Sequence, residues 1–444
     1  MRISGKLRRT SKRSIFGIGS AALAAVLASC GSAQAASTPS TSAKVNLVLW
    51  QNLGNGTQAQ MVPVLIKAFE KTHPNITITN VQQPRANYFA LLQAAAVSKS
   101  GPDLVNMWTG LFTMQYKSYL EPLSKYVPKS DLANVNGLQW SNVGFSKTSN
   151  PYVIPLQQQF YIGFYNKALF QKVGISSAPQ DWTQLFADCK LLKAAGTTCI
   201  EEGTQNLSGE FYPWYNLSYL MAGILTPQQW EGLYNGTIKW TNPKIVAQLN
   251  EWHKLYADGY VNSNALTATN VQSNFLNGSA AMIIKGNWDT SQFYSTLGKN
   301  VGVFAPPYSN KPMHSVVEFA GNGLAITSYS SHKQAAAQFL QFLTTPQAGK
   351  IVAQSGLIPD VNGVPATNPL ASQMISMVTK QGYTVYPMLD NVTAPGVVTA
   401  GSSVMPDMLV GGVSAQNAAS SLDQAWTQLP SSERGSSWSG YSVP

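Results

Sequence analysis

The chain has 444 residues, and its 29 basic and 19 acidic side chains give a net charge of +10 at neutral pH. Six of the basic residues lie within the first 29 positions, so the rest of the chain carries a net charge near +4. That remainder has no cluster of Lys and Arg that could bind successive phosphates of a nucleic acid backbone, which argues against nucleic acid as a partner. Only 11% of the residues are charged, against about 25% in a typical soluble domain. Asn, Gln, Ser and Thr supply the polarity instead. Because amides and hydroxyls do not titrate, one hypothesis is that the protein works in an acidic environment outside the cell.

The first 29 residues predict a signal peptide. Six basic residues precede an apolar stretch at 15–27, which is too short to span a bilayer. The sequence Leu-Ala-Ser-Cys ending at Cys30 resembles the lipobox of bacterial lipoproteins, which implies cleavage before Cys30 and lipidation there. An ordinary secretory signal is the alternative. We therefore expect an extracytoplasmic protein anchored to the cell membrane, at the cell surface or in a periplasm. Residues 30–44, rich in Ser, Ala and Thr, predict a flexible tether.

The remaining 400 or so residues predict two α/β lobes. One hydrophobic core usually stops growing at about 250–300 residues. Apolar periodicity predicts a strand at 45–50, a helix at 58–71, a strand at 76–81 and a helix at 88–97. Such βαβ order implies mainly parallel sheets, with ligands bound beyond the carboxyl ends of the strands.

Several segments, in order along the chain, resemble one protein family. They are FEKTHPNITI (69–78), GPDLVNM (101–107), LEPL (120–123), IPLQQQFYIGFYNKALFQKVGI (154–175), FLNGSAAMIIKGNW (275–288) and GNGLAITSYSSHKQAAAQFLQFL (321–343). The chain resembles an extracellular solute-binding protein of carbohydrate ABC importers, the family 1 group that includes maltose-binding protein. The resemblance implies a type II periplasmic-binding-protein-like fold, with two lobes of sheets flanked by helices, joined by a hinge.

The resemblance also implies a domain layout and a function. Lobe 1 is expected at 45–153 and 309–358, and lobe 2 at 154–308 and 359–444, with a crossing between lobes within 308–316. The expected function is capture of a mono- or oligosaccharide in the interlobe cleft by a monomer, without cofactor or metal, and delivery to permease subunits of the importer. Residues 197–219 depart from common versions of the family, which leaves the identity of the sugar open. The alternatives are a lipid-anchored carbohydrate-active hydrolase and a solute-binding protein for a non-sugar ligand.

Candidate ligand-binding residues follow from the chemistry of sugars. Sugar hydroxyls donate and accept hydrogen bonds, and C–H faces lie flat on aromatic rings, so a sugar site combines aromatic side chains with amides, carboxylates or Arg. The chain has 11 Trp and 19 Tyr, and a packed interior position is the alternative for each. The candidates, most of them at predicted strand ends or loops, are Trp50, Asn52, Trp108, Gln157, Gln159, Tyr161, Trp214, Asn287, Trp288, Gly321, Asn322 and Asp390.

Two further features have structural interpretations. Cys189 and Cys199 predict either one local disulfide, in an oxidising compartment, or two buried thiols. Asp103 either stabilises a turn by accepting backbone N–H bonds or reaches the ligand, and we expect the structural role. Four scattered histidines predict no metal site.

Overall fold

The computed structural model describes residues 43–54, 56–138, 150–203, 213–319 and 321–434. The predicted signal peptide, the predicted lipidation site Cys30 and most of the predicted tether lie outside the described residues. Within the described ranges, no helix is both long and apolar enough to cross a membrane.

The described residues form two β-sheets surrounded by helices. The strands are β1 (Val45–Gln51), β2 (Ile76–Gln82), β3 (Leu104–Trp108), β4 (Ile154–Pro155), β5 (Gln159–Asn166), β6 (Thr198–Ile200), β7 (Ala280–Gly286), β8 (Val301–Phe304), β9 (Ser315–Phe319), β10 (Asn322–Ile326) and β11 (Thr384–Pro387). The helices are α1 (Thr57–Thr72), α2 (Tyr88–Ser98), α3 (Leu111–Tyr116), α4 (Lys129–Leu132), α5 (Lys167–Lys172), α6 (Trp182–Ala194), α7 (Pro213–Ala222), α8 (Pro227–Asn235), α9 (Pro243–Ala257), α10 (Val271–Leu276), α11 (Thr290–Leu297), α12 (Lys333–Leu343), α13 (Pro346–Gln354), α14 (Pro369–Thr379), α15 (Leu389–Val392), α16 (Pro395–Leu409) and α17 (Ala415–Gln428).

Several helices begin at a capping residue followed by proline. The side chains of these caps each accept a hydrogen bond from a backbone N–H in the first turn, and the proline has no N–H that would need a partner. The caps are Thr226, Asn242, Thr345 and Asn368. These sequence signals determine where α8, α9, α13 and α14 begin.

Lobe 1 is built on a five-stranded sheet with the order β2-β1-β3-β10-β4. Helix α1 buries one face, with Met61, Leu65 and Phe69 at helical spacing, against Leu47 and Leu49 of β1. A smaller cluster that includes Leu92 of α2 covers the other face of the sheet. The expected strand and helix pattern of residues 45–97 is therefore confirmed.

Lobe 2 is built on a six-stranded sheet with the order β11-β9-β5-β7-β6, and β8 also pairs with β5. Strand β7 is buried along its whole length. A disulfide joins Cys189 of α6 to Cys199 of β6. Of the two alternatives predicted for these cysteines, the structure therefore has the bonded one.

Within the described ranges, the chain passes between the lobes at three places. The first crossing lies at 156–158, between β4 and β5, and the third lies near Leu357 and Ile358. The second lies between Phe319, which pairs with β5 in lobe 2, and Asn322, which pairs with β3 in lobe 1. The boundaries expected at 153/154 and 308/309, and the crossing expected within 308–316, are therefore too early. Strand β4 still pairs with β10 of lobe 1, and β9 still pairs with β5 and β11 of lobe 2.

The two-lobed α/β prediction is confirmed, but the sheets are mixed instead of mainly parallel. Strands β1, β2 and β3 are parallel, whereas β10 is antiparallel to β3 and to β4. In lobe 2, β5 is antiparallel to β7, β8 and β9. The reason is topological. A strand such as β10 or β5 that enters a lobe from a crossing starts at the sheet edge where the neighbouring strands end.

Candidate functional site

A cavity of about 780 Å³ lies between the two lobes. Lobe 1 borders it with the residues after β1, the end of β3 and the start of β10, and lobe 2 borders it with the start of β5 and the turn after β7. Most of the predicted ligand-binding residues line this cavity. They are Asn52, Trp108, Gln159, Tyr161, Trp288, Gly321, Asn322 and Asp390.

Trp214, predicted as a ligand contact, lies instead in the core of lobe 2. Its side chain is fully buried, and its Nε1 donates to the carbonyl oxygen of Val398 at 3.1 Å and to Ser402 Oγ at 3.2 Å. The ring therefore fixes α16 against α7. The neighbouring Tyr215 lines the cavity in its place.

Three other residues predicted to contact the ligand instead stabilise the fold. Asn287 is buried and braces the first crossing, since its Oδ1 accepts from the Phe160 backbone N–H and its Nδ2 donates to the Gln158 carbonyl, both at 3.3 Å. Gln157 is buried within that crossing. Trp50 packs against the smaller core of lobe 1. None of the three lines the cavity.

Lobe 2 presents three aromatic rings, which we call the lobe 2 aromatic cluster: Tyr161, Tyr215 and Trp288. The ring centroids of Tyr161 and Tyr215 are 4.6 Å apart, and the Tyr215 ring lies 5.9 Å from the Trp288 ring. Tyr161 donates its hydroxyl proton to Asp390 Oδ2 at 2.8 Å. Both tyrosines are almost entirely buried, so the cluster is a rigid wall.

Lobe 1 presents Phe89, Trp108 and Phe112, which we call the lobe 1 aromatic cluster. The Trp108 ring packs edge-on against Phe89 at 4.9 Å and Phe112 at 5.0 Å. The guanidinium of Arg85 lies 5.7 Å from the centre of the Trp108 ring, within cation–π range. Of this group, Arg85, Trp108 and Phe112 line the cavity.

Lobe 1 also lines the cavity with the amide side chains of Asn52, Gln58 and Asn322, which we call the amide floor. Asn106 Nδ2 donates to Asn52 Oδ1 at 2.7 Å, and Asn322 Nδ2 donates to Gln58 Oε1 at 3.0 Å. The other amide nitrogens, Asn52 Nδ2 and Gln58 Nε2, have no hydrogen-bond partner in the described part of the chain. Because a buried donor without a partner costs free energy, these groups are suited to a ligand oxygen.

Among the described residues, the charged groups that line the cavity are Arg85, Asp390 and Asp407. Burial raises the pKa of Tyr215 above its usual value, with Arg85 lowering it and Asp390 raising it. Tyr215 therefore stays neutral and keeps its proton at physiological pH. Among the residues that the structure describes, no three His, Cys, Asp or Glu side chains are arranged to hold a metal ion.

Asp103 lies away from the cavity and has the structural role expected for it. Its Oδ2 accepts from the Val48 backbone N–H at 3.0 Å, and its Oδ1 accepts from Ser330 Oγ at 2.6 Å. These bonds tie β1 to the turns before β3 and after β10.

Sequence reasoning missed several residues that line the cavity. Asn391 is not one of these, because the resemblance already implies that Asp390 and Asn391 return toward the cleft; its Nδ2 donates to the Thr109 carbonyl of lobe 1 at 3.0 Å. Gln58 and Arg85 are not among the candidates because most candidates lie at predicted strand ends, and neither residue lies at one. The remaining missed residues, several of them on α16, are Leu53, Thr109, Phe112, Tyr215, Leu266, Val398, Thr399, Ser402, Ser403, Pro406 and Asp407.

Comparison with known proteins agrees with this architecture. The sequence profile of the bacterial extracellular solute-binding protein family matches residues 54–350, more than half of the chain. The chain belongs to that family. A galactooligosaccharide-binding protein of Bacillus subtilis (strain 168) is 23% identical to this solute-binding protein over 373 residues, which cover 82% of this chain and 83% of the relative.

A second relative and a solved structure are also similar to this chain. A periplasmic sn-glycerol-3-phosphate-binding protein of Yersinia pestis bv. Antiqua is 22% identical over 346 residues, 71% of this chain and 74% of the relative. The solved structure of a chitin oligosaccharide binding protein superimposes with a TM-score of 0.76 at 23% identity, covering 86% of this chain and 98% of that one. This structural similarity establishes the shared fold.

Proposed function

We propose that this solute-binding protein captures a neutral sugar between its lobes and delivers it to the permease of an ABC importer. The observation that carries the proposal is that both lobes offer aromatic rings to one cavity, which amide side chains also line. Rings on two sides suit the C–H faces of a sugar, and amides suit its hydroxyls. The function named for the B. subtilis relative agrees with this proposal.

The sugar contacts that we propose come from both lobes. Gln58 and Asn52 donate to hydroxyls, Asp390 accepts from them, and the two aromatic clusters stack on the ring faces. The full set comprises Asn52, Gln58, Arg85, Trp108, Phe112, Gln159, Tyr161, Tyr215, Trp288, Gly321, Asn322 and Asp390.

A glycerol phosphate ligand, as named for the Yersinia relative, is the second candidate. Within the described part of the lining, its phosphate would have one cationic partner, Arg85, and would face the carboxylates of Asp390 and Asp407. Like charges in a cavity of low dielectric repel strongly. We therefore favour an uncharged ligand.

In the proposed mechanism, ligand binding shifts a population of conformations. A sugar that contacts both lobes binds the closed arrangement better than an open one and so favours closure around the hinge. The Asn391–Thr109 hydrogen bond between the lobes, at 3.0 Å, is a contact that closure would make and opening would break.

We also propose that the protein acts outside the cytoplasm as a monomer, anchored through Cys30 and the tether that follows it. The lipobox ending at Cys30 supports this proposal. Cell fractionation tests it: Cys30→Ser is expected to abolish lipid labelling and release the protein from the membrane fraction, and retention of the label would contradict the assignment.

A thermal-shift screen tests the proposed function. The purified protein is heated with neutral mono- and oligosaccharides, and with glycerol 3-phosphate, amino acids, polyamines and metal salts as comparison ligands. A ligand present at about 100 times its Kd adds roughly 2.7 kcal/mol of stability, so the expected result is a raised melting temperature with one related set of sugars. A rise with glycerol 3-phosphate alone would favour the second candidate, and hydrolysis of a bound oligosaccharide would show an enzyme.

A further inference from the structure

Helix α16 offers a regular polar stripe to the cavity. Thr399, Ser403 and Asp407 all line it, and all three side chains are exposed. They are spaced four residues apart, so they lie one above another on the same helix face. At 1.5 Å per residue, the stripe from Thr399 to Asp407 runs for about 12 Å, which is longer than one sugar ring.

Helix α16 follows the segment that holds Tyr161 of the lobe 2 aromatic cluster, and it ends at another helix of lobe 2. Helix α16 starts just after Asp390, which accepts the Tyr161 hydroxyl, and its last turn reaches α9, where His253 Nδ1 lies 2.8 Å from the Leu409 carbonyl oxygen. The helix therefore starts close in sequence to a residue that fixes Tyr161, and it ends against a different helix of lobe 2.

The wall formed by α16 is fixed in place. The indole of Trp214 donates to the Val398 carbonyl and to Ser402 Oγ from behind the helix. Leu266, which is 38% exposed, adds an apolar group to the lining of the cavity. A rigid surface with hydroxyls, a carboxylate and one apolar group suits a second sugar ring, because little side-chain freedom is lost on binding.

We infer that the ligand is a neutral oligosaccharide of at least two rings, with one ring stacked on the lobe 2 aromatic cluster and the next along the Thr399–Ser403–Asp407 stripe. This inference rests on the proposed sugar-binding function and names the class of sugar within it. The cavity volume of about 780 Å³ agrees with it, since pockets of ~300–1,000 Å³ enclose most of a drug-sized ligand. Asp407 accepts from neighbouring hydroxyls of the outer ring, and Ser403 both donates and accepts.

The test measures affinity against chain length. The purified protein is titrated calorimetrically with neutral sugars of one linkage type, from one to five rings, chosen from the set that raises its melting temperature. Affinity is expected to rise roughly tenfold or more from one ring to two or three, and then to level off. Ser403→Phe, which blocks the stripe, is expected to remove that gain and leave the monosaccharide Kd within about twofold.

The matched control places the same substitution outside the cavity. Ser420→Phe, at an exposed position of α17, is expected to leave the affinity for every length unchanged. Asp407→Asn is expected to weaken the binding of two or more rings and not of one. A monosaccharide that binds as tightly as the longer sugars, or a Ser403→Phe protein weakened equally for all lengths, would overturn the inference while leaving sugar binding intact. Failure of sugars of every length to bind would overturn the proposed function as well.

Discussion

The two aromatic clusters face the same cavity, yet they are held differently. In lobe 2, Tyr161 and Tyr215 are 4% and 3% exposed, and the Tyr161 hydroxyl is fixed by Asp390. In lobe 1, the Trp108 ring shares one face with the Arg85 guanidinium, which is exposed to solvent. A sugar that stacks on Trp108 therefore competes with a cation, whereas a sugar that stacks on Trp288 meets a preorganised wall. Similar residue composition does not imply similar binding energy.

Replacement of Trp288 by Ala is expected to have the largest effect on sugar affinity. Truncation of a central aromatic contact costs about 2–3 kcal/mol, so the Kd should rise roughly 30- to 140-fold in calorimetric titration. Trp426→Ala is the control, because Trp426 also lies in lobe 2 but packs beside Lys239 and Tyr234 and does not line the cavity. A similar loss in both variants would show that the effect comes from general destabilisation.

Replacement of Trp108 by Ala is expected to cost less, roughly tenfold in Kd, because the lost stacking is partly offset by release of Arg85. The same titration measures it, with Trp50→Phe as a lobe 1 control away from the cavity. A larger loss for Trp108→Ala than for Trp288→Ala would reverse the ranking of the two clusters.

Replacement of Gln58 by Ala tests the amide floor of lobe 1. Loss of one hydrogen bond to a hydroxyl costs about 1 kcal/mol, so the Kd is expected to rise roughly fivefold. Gln60→Ala is the matched control, since Gln60 lies on the same helix with an exposed side chain outside the cavity lining. Unchanged affinity in Gln58→Ala would remove the amide floor from the proposed site.

The smallest expected effect is on the pH dependence of stability, and it comes from buried carboxyl groups at the hinge between the two lobes. Burial raises the pKa of Glu318, next to the second crossing, to about 7, with its hydrogen bond to Gln158 acting in the opposite direction. Burial and the neighbouring Glu318 also raise the pKa of Asp360, beyond the third crossing. Between about pH 4.5 and 7 the folded protein keeps a proton at Glu318 that the unfolded chain releases, so stability is highest below this range and falls as the pH rises through it.

Glu318→Gln is therefore expected to reduce the fall in melting temperature between pH 5 and pH 8 by a few degrees at most. Thermal melting at the two pH values measures this, and Glu433→Gln, at an exposed position, serves as the control. An unchanged pH dependence in Glu318→Gln would contradict the proposed protonation at the hinge. Burial also raises the pKa of Glu202, to about 8, which acts in the same direction and agrees with the hypothesis of an acidic environment outside the cell.

Much of the fold could be predicted because it depends on local patterns. The helical spacing of Met61, Leu65 and Phe69 and the caps before proline are visible in the sequence, and α1 extends only one residue beyond the predicted helix at each end. The second crossing could not be predicted in the same way. Residues 309–319 belong to lobe 2 because β9 pairs with β5 and β11, which lie far from it in sequence.

The sequence by itself determined the family, the two-lobed α/β architecture and the kind of chemistry at the site, because ordered motifs, apolar periodicity and a supply of Trp and amides are local or compositional properties. Only the tertiary structure decided which side chains reach the cavity. Trp214 and Tyr215 are neighbours on α7, but successive side chains of a helix point about 100° apart, so one packs into the core and the other faces the cavity. The contribution of α16 likewise depends on how distant segments pack, which neither composition nor periodicity specifies.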